Sequence, residues 1–428
     1  MPTSKTRLHC VTRWAALATL AVAGCASVPA PVSSSVANTE GAGLAQEQKF
    51  EQWVANFYTT AQASGIDAST LQSAFSSVQF LARVIELDRS QPEFNRPVWA
   101  YLDTAVSAQR IANGQEKLRQ LRADIDPIAT RYGVPTEILF AFWGIESNFG
   151  SNLGDFSTID ALATLAYEGR REDWARTELL AALRILQNHD IERTRMVGSW
   201  AGAMGQTQFM PTVFLAHAVD ADGDGRRDIW NSLPDVMAST ANFVAKSGWR
   251  AGEPWGVEVR LPSGFAIESA TLEERQPSSA WAGKGVQTMD GAPLPILHDS
   301  SVLLPAGASG PAFLVGTNFR TILKYNNSTS YALAVGLLAQ QMAGGAPVQT
   351  PWPRDLHPLS RSQVQTLQEL LNAQGFDSGT PDGVMGPATQ RAIRQFQQSR
   401  ALPADGYPTL ELLTAAMRPH QTLSQPPQ

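Results

Sequence analysis

The chain has 428 residues, of which 43% are hydrophobic and 17% are charged, and its formal net charge is −6. That length suits two or three domains, and the apolar content is enough for a sizeable core, so a wholly disordered chain is excluded. The acidic balance argues against a general nucleic-acid-binding protein, because phosphate backbones are bound through a basic surface.

Cysteine and histidine usage limits the disulfide and metal chemistry. Both cysteines, Cys10 and Cys25, lie near the N-terminus, so the body of the chain has neither a disulfide framework nor a cysteine-based zinc site. The six histidines are scattered and form no HExxH motif, which argues against a catalytic zinc site. We therefore expect any catalysis to need no cofactor.

Residues 1–24 have the pattern of a secretory signal peptide. Three basic residues flank the apolar stretch WAALATLAVAG, which is too short to span a membrane as a mature helix. The following LAVAGC resembles a bacterial lipobox, in which the signal is removed before the cysteine and the thiol of Cys25 is lipidated. Ala26 rather than an aspartate follows, and by family analogy this favours lipid anchoring at the periplasmic face of the outer membrane. The alternative is an ordinary signal peptide cleaved near Ala26.

The next segment, 25–46, is rich in Ser, Ala and Pro and is predicted to be a flexible tether. From about Phe50 the apolar residues of FEQWVANFYTTAQASG follow helical spacing, and Gly65 ends that pattern. Further helical patterns follow as far as about Gly248. The sequence therefore predicts a mainly helical unit after the tether.

The helix predicted from GVPTEILFAFWGIESNFG carries an isolated carboxylate. Pro135 marks its start and Gly150 marks its end. One apolar face is formed by Ile138, Phe142, Ile145 and Phe149. Glu146 borders this face, and because desolvation raises the pKa of a carboxyl group, it is suited to general acid catalysis near neutral pH. The alternative is a buried structural glutamate paired with an arginine or a backbone amide.

Beyond Trp255 the pattern changes. Short β-prone segments such as WGVEVRLPSGF and PAFLVG, separated by proline and glycine, predict a small strand-containing insert over 255–315. A helical pattern returns over 318–342, and the segment 344–358 is predicted to be a linker.

Two motifs together identify a family. The ESNFG that contains Glu146 is followed by GAMGQTQFMP, and DADGDGRRDIW, NFVAKSGW and KYNNSTSYALAV extend the similarity over about 50–342. This combination resembles the membrane-bound lytic transglycosylase B family of lytic murein transglycosylases. The resemblance implies a mainly α protein, with a lysozyme-like helical catalytic domain over 47–343 that includes the small strand-containing insert.

The same resemblance implies the reaction. A single glutamate cleaves the β-1,4 bond between N-acetylmuramic acid and N-acetylglucosamine in peptidoglycan, for cell-wall turnover or remodelling. Glu146 would protonate the leaving oxygen and then act as base on the muramyl C6 hydroxyl, which closes onto C1 and leaves a 1,6-anhydromuramyl end. Most glycosidases use two carboxylates, but the spacing of the nearby acids, such as Asp155 and Glu172, marks none as a nucleophile.

Further residues suit a sugar groove. Gly and Ala in SWAGAMGQTQFMP let backbone approach a ligand, and amide side chains both donate to and accept from sugar hydroxyl and acetamide groups; the alternative is tight helix packing before a turn. Adjacent arginines suit the carboxylates of peptidoglycan, although such a pair is usually a solvated face. By resemblance, the substrate-binding residues are Ser147, Arg170, Arg171, Met204, Gln206, Gln208, Phe209, Tyr325 and Asn326.

The stretch DADGDGRRD resembles the start of an EF-hand calcium loop. Its first, third, fifth and ninth positions are aspartates, and Gly225 at the sixth allows the sharp turn. Position 12 is Asn231 instead of glutamate, and Asp235 is expected to replace that carboxylate, as in the family. We expect a structural Ca²⁺ held by Asp220, Asp222, Asp224, Arg226, Asp228 and Asp235. The alternative is a solvated Asp/Gly turn.

The C-terminal segment, 359–418, is predicted to be a small three-helix domain. Gly375 ends one helix and Pro387 opens the next, and the expected core is Leu367, Leu370, Leu371, Ile393 and Phe396. Its DGVMGPAT resembles the motif of a peptidoglycan-binding domain. The alternative is an inert helical appendage. The last residues, 419–428, are expected to be a disordered tail.

The sequence thus indicates a lipid-anchored enzyme whose partners are peptidoglycan and the outer membrane, with no nucleic acid and with any partner among cell-wall enzymes unknown. Two alternatives stay open. One is a muramidase that cleaves the same bond with water, and the other is a catalytically silent wall-binding scaffold.

Overall fold

The computed structural model describes residues 36–90, 96–357 and 359–418. The predicted signal peptide, the lipidation residue Cys25 and the tail over 419–428 lie outside these ranges. Within the described ranges, no helix combines the length and the apolar character that crossing a lipid bilayer requires.

The described chain is mainly helical, as predicted. The helices before the sheet are α1 (Val36–Ala63), α2 (Ala68–Phe75), α3 (Ala82–Ser90), α4 (Val98–Ala105), α5 (Ala108–Tyr132), α6 (Thr136–Ser147), α7 (Thr158–Glu168), α8 (Glu172–Gln187), α9 (Pro211–His217) and α10 (Leu233–Lys246). The helices that follow the first strand of the four-stranded sheet are α11 (Ser278–Gly283), α12 (Thr317–Tyr325), α13 (Thr329–Met342), α14 (Arg361–Ala373), α15 (Pro387–Ser399) and α16 (Leu410–Met417).

The first helix begins earlier than the sequence pattern predicts. It starts at Val36, inside the segment 25–46 that was expected to be a flexible tether, and not near Phe50. Residues 36–49 contain no proline and several good helix formers, chiefly Ala, Glu, Gln, Leu and Lys. Intrinsic propensity therefore favours extending the helix back over 44–49, whereas Gly41 and Gly43 disfavour helix and leave its first turns without such a reason.

Helix α6 lies at the centre of the main core. Residues 138–144 are all buried, because α5, α10 and α13 pack around the helix. The prediction of one apolar face was therefore too narrow, since a helix surrounded by other helices is apolar on all sides. Its end also differs: α6 stops at Ser147, and the chain reverses through a left-handed Asn148 and Phe149 before reaching Gly150.

The predicted strand-containing insert is a four-stranded antiparallel sheet. Its spatial order is β4 (Gln287–Thr288), β3 (Gly256–Arg260), β6 (Ala312–Val315) and β5 (Ser301–Leu303), and Val257 pairs with Leu314. A separate hydrophobic cluster around the fully buried Trp281 supports this sheet. A two-stranded ribbon, β1 (Phe156–Ser157) and β2 (Val197–Gly198), lies apart from it.

The predicted linker over 344–358 packs along the catalytic domain. The side chain of Glu258 accepts hydrogen bonds from the backbone of Gln349 at 2.7 Å and Thr350 at 2.8 Å. The Trp352 ring stacks on Phe313, with ring centroids 6.4 Å apart. This connection is therefore held along much of its length.

The C-terminal three-helix domain is confirmed, with its own hydrophobic cluster that includes four of the five predicted core residues and leaves Leu370 partly buried beside them. The buried Gln368 side chain organises the DGVMGPAT turn: its oxygen accepts from the backbone N–H of Gly383 at 2.8 Å, and its NH₂ group donates to Thr389 at 3.0 Å. Pro387 opens α15 and Gly375 follows the end of α14, as expected.

Candidate active site

Glu146 lies in the last turn of α6 and is only partly covered, so a ligand has a route to its carboxyl group. Burial among the surrounding protein atoms raises the pKa of this carboxyl group to about 7. The Tyr331 hydroxyl donates a hydrogen bond to Glu146 Oε1, which favours the carboxylate and so lowers the pKa against the effect of burial. The group is therefore poised to exchange a proton near neutral pH.

Glu146 has no charged partner within the described part of the chain. It forms no ion pair there with an arginine or lysine, so the alternative of a structural glutamate paired with an arginine is not supported. Burial raises its pKa against the lowering effect of the Tyr331 hydrogen bond, and no second carboxylate contributes to the shift. Asp160, an acid nearby in sequence, is instead paired with Arg193 at 2.5 Å.

Three tyrosines interact with the carboxyl group: Tyr331 through its hydrogen bond, and Tyr101 and Tyr325 through the charge of the carboxylate. Burial, and then the charge of Glu146, raise the pKa of Tyr101 to about 12 and the pKa values of Tyr325 and Tyr331 well above the usual range. All three therefore stay protonated at neutral pH, and their hydroxyl groups can donate hydrogen bonds. The Phe142 ring packs against Tyr325, with centroids 4.7 Å apart, and Tyr325 stacks on Tyr331, with centroids 6.4 Å apart.

The turn after Glu146 is tightly constrained. Asn148 and Phe149 both have positive φ, at 48° and 60°, a conformation that costs free energy outside glycine and that often marks a functional site. Ser147, predicted to bind substrate, is fully buried. Its hydroxyl donates to Trp143 O at 3.2 Å and accepts from Gly150 N at 3.1 Å. That prediction is corrected: Ser147 holds the turn from inside.

A glycine-rich loop, residues 198–210, lies beside this turn. Gly154 packs directly on its backbone, because a Cβ at Gly154 would lie 2.1 Å from the carbonyl oxygen of Gly198. Gln208 in this loop has φ 51°, and its NH₂ group donates to Leu153 O at 3.1 Å and to Gly205 O at 2.9 Å. Nothing in the described residues donates to its Oε1, so this oxygen is available to a sugar hydroxyl or acetamide N–H.

Three other predicted groove residues of this loop point elsewhere. Met204 is fully buried and Phe209 is 2% exposed, so both support the loop from the core and do not line a groove, which corrects the prediction. The backbone N–H of Met204 donates to Phe209 O at 2.8 Å, which closes the loop on itself. The Gln206 side chain is hydrogen-bonded at both ends inside the protein, to Trp143 and to Trp230.

Tyr325 and Asn326 lie where α12 ends. The Tyr325 hydroxyl donates to Thr207 O at 2.5 Å, so this tyrosine ties α12 to the glycine-rich loop. Asn326 is exposed and no contact within the described chain engages its side-chain amide. Both residues are thus near the loop, and a role for the Asn326 amide in binding substrate stays a prediction.

The arginine pair is held by an aspartate that the sequence analysis did not identify. Asp88, which is 2% exposed, accepts from Arg170 Nε at 2.6 Å and from Arg171 at 2.6 Å. The Arg171 guanidinium also lies 4.3 Å from the ring centroid of Trp174. Both guanidinium groups keep part of their surface open, and their role in binding substrate stays a prediction.

The aspartate loop, residues 220–235, brings part of the predicted calcium set together. Carboxylate oxygens of Asp220, Asp222 and Asp235 lie within 4.8 Å of one another, and Asp235 is fully buried. Burial raises the pKa of the Asp235 carboxyl group. A buried carboxylate beside two others is an oxygen-rich donor set that fits a hard cation such as Ca²⁺.

The other predicted ligands make local contacts. Asp228 Oδ1 accepts from the backbone of Trp230 at 3.0 Å and of Asn231 at 2.9 Å, and Asp224 Oδ1 accepts from Arg226 N at 2.8 Å. Asp224, Arg226 and Asp228 therefore shape the loop and are not part of the three-carboxylate cluster.

Sequence reasoning missed the tyrosines that contact or face the glutamate. Tyr331 belongs to the quoted motif KYNNSTSY, but the prediction took only Tyr325 and Asn326 from it. Tyr101 lies in α4, far away in sequence, and no local pattern connects it with α6. Its position follows from the packing of α13 against both α4 and α6.

Comparison with known proteins is consistent with this geometry. Residues 49–340 match the family model of the transglycosylase SLT domain, and residues 360–416 match that of a peptidoglycan-binding domain. The chain is 29% identical to membrane-bound lytic murein transglycosylase B of Escherichia coli over 75% of this chain and 94% of that protein.

Solved structures give the same picture. SltB3 from Pseudomonas aeruginosa, in complex with NAG-anhNAM-pentapeptide, is 53% identical, covers 86% of this chain and 99% of its own, and has a TM-score of 0.84. The E. coli lytic transglycosylase Slt35 in complex with calcium is 29% identical; the match covers 69% of this chain and 93% of Slt35, with a TM-score of 0.59. The predicted lysozyme-like fold is confirmed, and the chain belongs to the transglycosylase SLT domain family as a lytic transglycosylase that acts on peptidoglycan.

Proposed function

We propose that this enzyme cleaves the β-1,4 bond between N-acetylmuramic acid and N-acetylglucosamine and leaves 1,6-anhydromuramyl ends, with Glu146 as the acid and then the base. One observation carries the proposal. Glu146 is a partly covered carboxyl group with a pKa near neutrality, hydrogen-bonded to Tyr331, on which no second carboxylate acts. A single group of this kind can give up a proton and take one back in the same catalytic cycle.

In the first step Glu146 is protonated and donates its proton to the glycosidic oxygen. The bond between that oxygen and the muramyl C1 breaks, the N-acetylglucosamine side leaves as an alcohol, and positive charge develops on the muramyl ring. The Glu146 carboxylate that forms is stabilised by the hydrogen bond from Tyr331, which strengthens as the acceptor becomes charged.

In the second step the muramyl C6 hydroxyl attacks C1. The Glu146 carboxylate takes the hydroxyl proton, and a new C6–O–C1 bond closes the anhydro ring. No water is consumed, and the enzyme returns to its protonated form. The reaction therefore needs neither a nucleophilic carboxylate nor a base that activates water, in agreement with the absence of a second acid acting on Glu146 in the described chain.

The neighbouring residues support a glycan in the groove. The unpaired Gln208 oxygen faces no donor of the described chain, and the Asn326 amide is exposed. The Pseudomonas relative has been crystallised with NAG-anhNAM-pentapeptide, which contains an anhydro sugar. The C-terminal domain is proposed to bind the wall and so to raise the local concentration of glycan strands around the catalytic domain.

Two alternatives make different products. A muramidase would use water and leave reducing ends, and a silent scaffold would bind peptidoglycan without cutting it. The pKa of Glu146 near neutrality favours an enzyme over a scaffold. Shifted pKa values of this kind are typical of catalytic sites, whereas a buried carboxyl group without a charged partner does not stabilise a fold.

Digestion of purified sacculi in H₂¹⁸O, followed by mass spectrometry, distinguishes the transglycosylase from the muramidase and from the silent scaffold. We expect anhydromuramyl ends that carry no ¹⁸O, because the closing oxygen comes from the sugar itself. Replacing Glu146 by Gln removes the exchangeable proton and should lower the rate on the order of 10²–10⁴-fold, while binding to sacculi is retained.

Glu172→Gln is the matched control, since Glu172 is an acid near in sequence whose carboxylate pairs with Arg176 at 2.8 Å. This variant should cut normally. Reducing ends labelled with ¹⁸O would contradict the transglycosylase mechanism, and normal cutting by the Glu146→Gln protein would contradict the role of Glu146.

The pH dependence of kcat/KM tests the proton balance. Because the first step needs protonated Glu146, kcat/KM should fall as the pH rises through about 7. The Tyr331 hydrogen bond lowers that pKa, so Tyr331→Phe should raise it and move the fall in kcat/KM to higher pH. Tyr325→Phe is the control, since it loses a bond to Thr207 and should leave the midpoint in place. A midpoint that Tyr331→Phe leaves unchanged or moves to lower pH contradicts this balance.

We propose that the aspartate loop holds a structural Ca²⁺ through Asp220, Asp222 and Asp235, and that catalysis needs no cofactor. The E. coli relative Slt35 has been crystallised with calcium, which supports the assignment. A bound cation would offset the repulsion among these carboxylates, so a chelator should lower the melting temperature and added Ca²⁺ should restore it.

Asp235→Asn should abolish this response, and Asp124→Asn, at an exposed aspartate of α5, should keep it. Calorimetric titration measures the binding directly. If Ca²⁺ neither binds the parent protein nor changes its melting temperature, the calcium assignment is wrong.

We propose that Cys25 is lipidated and anchors the enzyme at the periplasmic face of the outer membrane. The lipobox-like LAVAGC supports this proposal, and the E. coli relative is described as membrane-bound. In cells expressing the full chain, Cys25→Ala should move the protein from the membrane fraction to the soluble periplasmic fraction, because the acyl chains supply the membrane affinity. A Cys25→Ala protein that still sediments with outer membranes argues against the anchor.

A further inference from the structure

Gln206 spans two parts of the protein with one side-chain amide. Its Oε1 accepts a hydrogen bond from Trp143 Nε1 at 2.7 Å, and its Nε2 donates to Trp230 O at 2.8 Å. Its own backbone N–H donates to Ile229 O at 2.9 Å. The residue therefore joins the catalytic helix α6 to the segment 229–230 of the aspartate loop, and it does so from within the glycine-rich loop.

The contact with Trp143 lies beside the catalytic carboxyl group. Trp143 is one helical turn before Glu146, and its carbonyl oxygen accepts from Phe149 N at 3.1 Å, so the same residue holds the turn on the other side of Glu146. The Phe149 ring also packs edge-on against the Trp143 ring, with centroids 5.5 Å apart. A displacement of Trp143 would thus move both the last turn of α6 and the reversal that follows it.

Gly150 shows how closely Gln206 fits against this reversal. A Cβ at Gly150 would lie 2.4 Å from Gln206 Oε1 and 3.4 Å from Trp143 Nε1, so only glycine leaves room for the hydrogen bond. Gly150 also has φ 79°, a conformation that other residues rarely adopt. The sequence and the backbone at this point are therefore both matched to the Gln206 amide.

These contacts give Gln206 a role different from sugar binding. Each polar atom of its amide has a protein partner, and a sugar would have to displace Trp143 or Trp230 O to use them. Gln208, two residues further along the same loop, keeps its oxygen free of donors from the described chain. The loop thus carries one amide turned to the protein and one that is available to a ligand.

We propose that Gln206 is a positioning residue that fixes the carboxyl group of Glu146 relative to the sugar-binding face of the glycine-rich loop. It acts through Trp143 and touches neither the substrate nor the reacting atoms. The inference rests on the proposed function, in which Glu146 must meet first a glycosidic oxygen and then a C6 hydroxyl. Small errors in such placement slow catalysis strongly, whereas the affinity for the glycan depends on other residues.

The test is steady-state kinetics on a soluble glycan-strand oligosaccharide with the full chain. Gln206→Met keeps the size of the side chain and removes both hydrogen bonds. We expect kcat to fall by about tenfold or more while KM stays within about twofold, because transition-state geometry is lost and ground-state binding is kept.

The chain offers a matched control in Gln187, which is also half-buried and also joins two elements with one amide. Its Oε1 accepts from Asp67 N at 2.7 Å and its Nε2 donates to Gly65 O at 3.3 Å, between α8 and the start of α2. Gln187→Met should lower thermal stability and leave kcat and KM near those of the parent protein.

Trp143→Phe alone provides a second measurement if Gln206→Met is poorly folded, and a double-mutant cycle follows if both variants fold; an unchanged kcat in the folded Trp143→Phe protein would also overturn the inference. Trp143→Phe removes the donor of the same hydrogen bond, so it should lower kcat in the same way, and Gln206→Met should add little to that loss in the Trp143→Phe background. Circular dichroism at the assay temperature establishes that each variant compared is folded.

Three further results overturn the inference while the parent protein still releases anhydromuramyl products. These are an unchanged kcat in the folded Gln206→Met variant, a raised KM with unchanged kcat, which would make Gln206 a sugar ligand, and fully multiplicative kcat losses in the cycle. A parent protein that releases no anhydro products would instead contradict the proposed function itself.

Discussion

The burial of one carboxyl group, with one tyrosine hydroxyl donating to it, is the constraint on which the rest of this structure depends. Burial alone favours the protonated form of Glu146, and the Tyr331 hydrogen bond favours the carboxylate, so the two effects leave the pKa near 7. A more strongly stabilised carboxylate could not donate a proton at neutral pH, and a completely enclosed acid could not meet a substrate. The partial cover over Glu146 is consistent with both requirements.

The surrounding elements maintain this balance from several sides. Helices α5, α10 and α13 enclose α6, and α13 carries Tyr331. The ring of Phe142, on α6, packs on Tyr325. The left-handed turn at Asn148 and Phe149 and the left-handed Gln208 are local conformations that only the tertiary contacts can hold. Through Trp143, Gln206 connects this turn with the aspartate loop.

The sequence could predict the features that local chemistry determines, such as helix spacing and helix ends. The helix that carries Glu146, the glycine at position 150, the proline that opens α15 and most of the C-terminal core follow from spacing and capping, and the structure confirms them except that α6 ends before Gly150. The position of Glu146 beside an apolar face made it a candidate but left a structural role open, and the family resemblance of the ESNFG and GAMGQTQFMP motifs is what singled it out as the acid.

What depends on tertiary packing could not be predicted in this way. Sequence spacing does not show that Met204, Ser147 and Phe209 are buried, and a motif rich in glycine suits a groove and a tight contact equally well. Tyr101 reaches the site only because α4 packs on α13, and Asp88 becomes the partner of the arginines only because α3 packs on α7. The early start of α1 was missed because no apolar pattern marks residues 36–49.

The most direct test is a titration of Glu146 itself in the substrate-free protein. Carboxyl ¹³C NMR of protein labelled at glutamate, with the Glu146→Gln variant to identify the resonance, measures the midpoint without any assumption about the reaction. The account predicts a midpoint near 7. A midpoint near 4.5, the ordinary value for a glutamate, would contradict it.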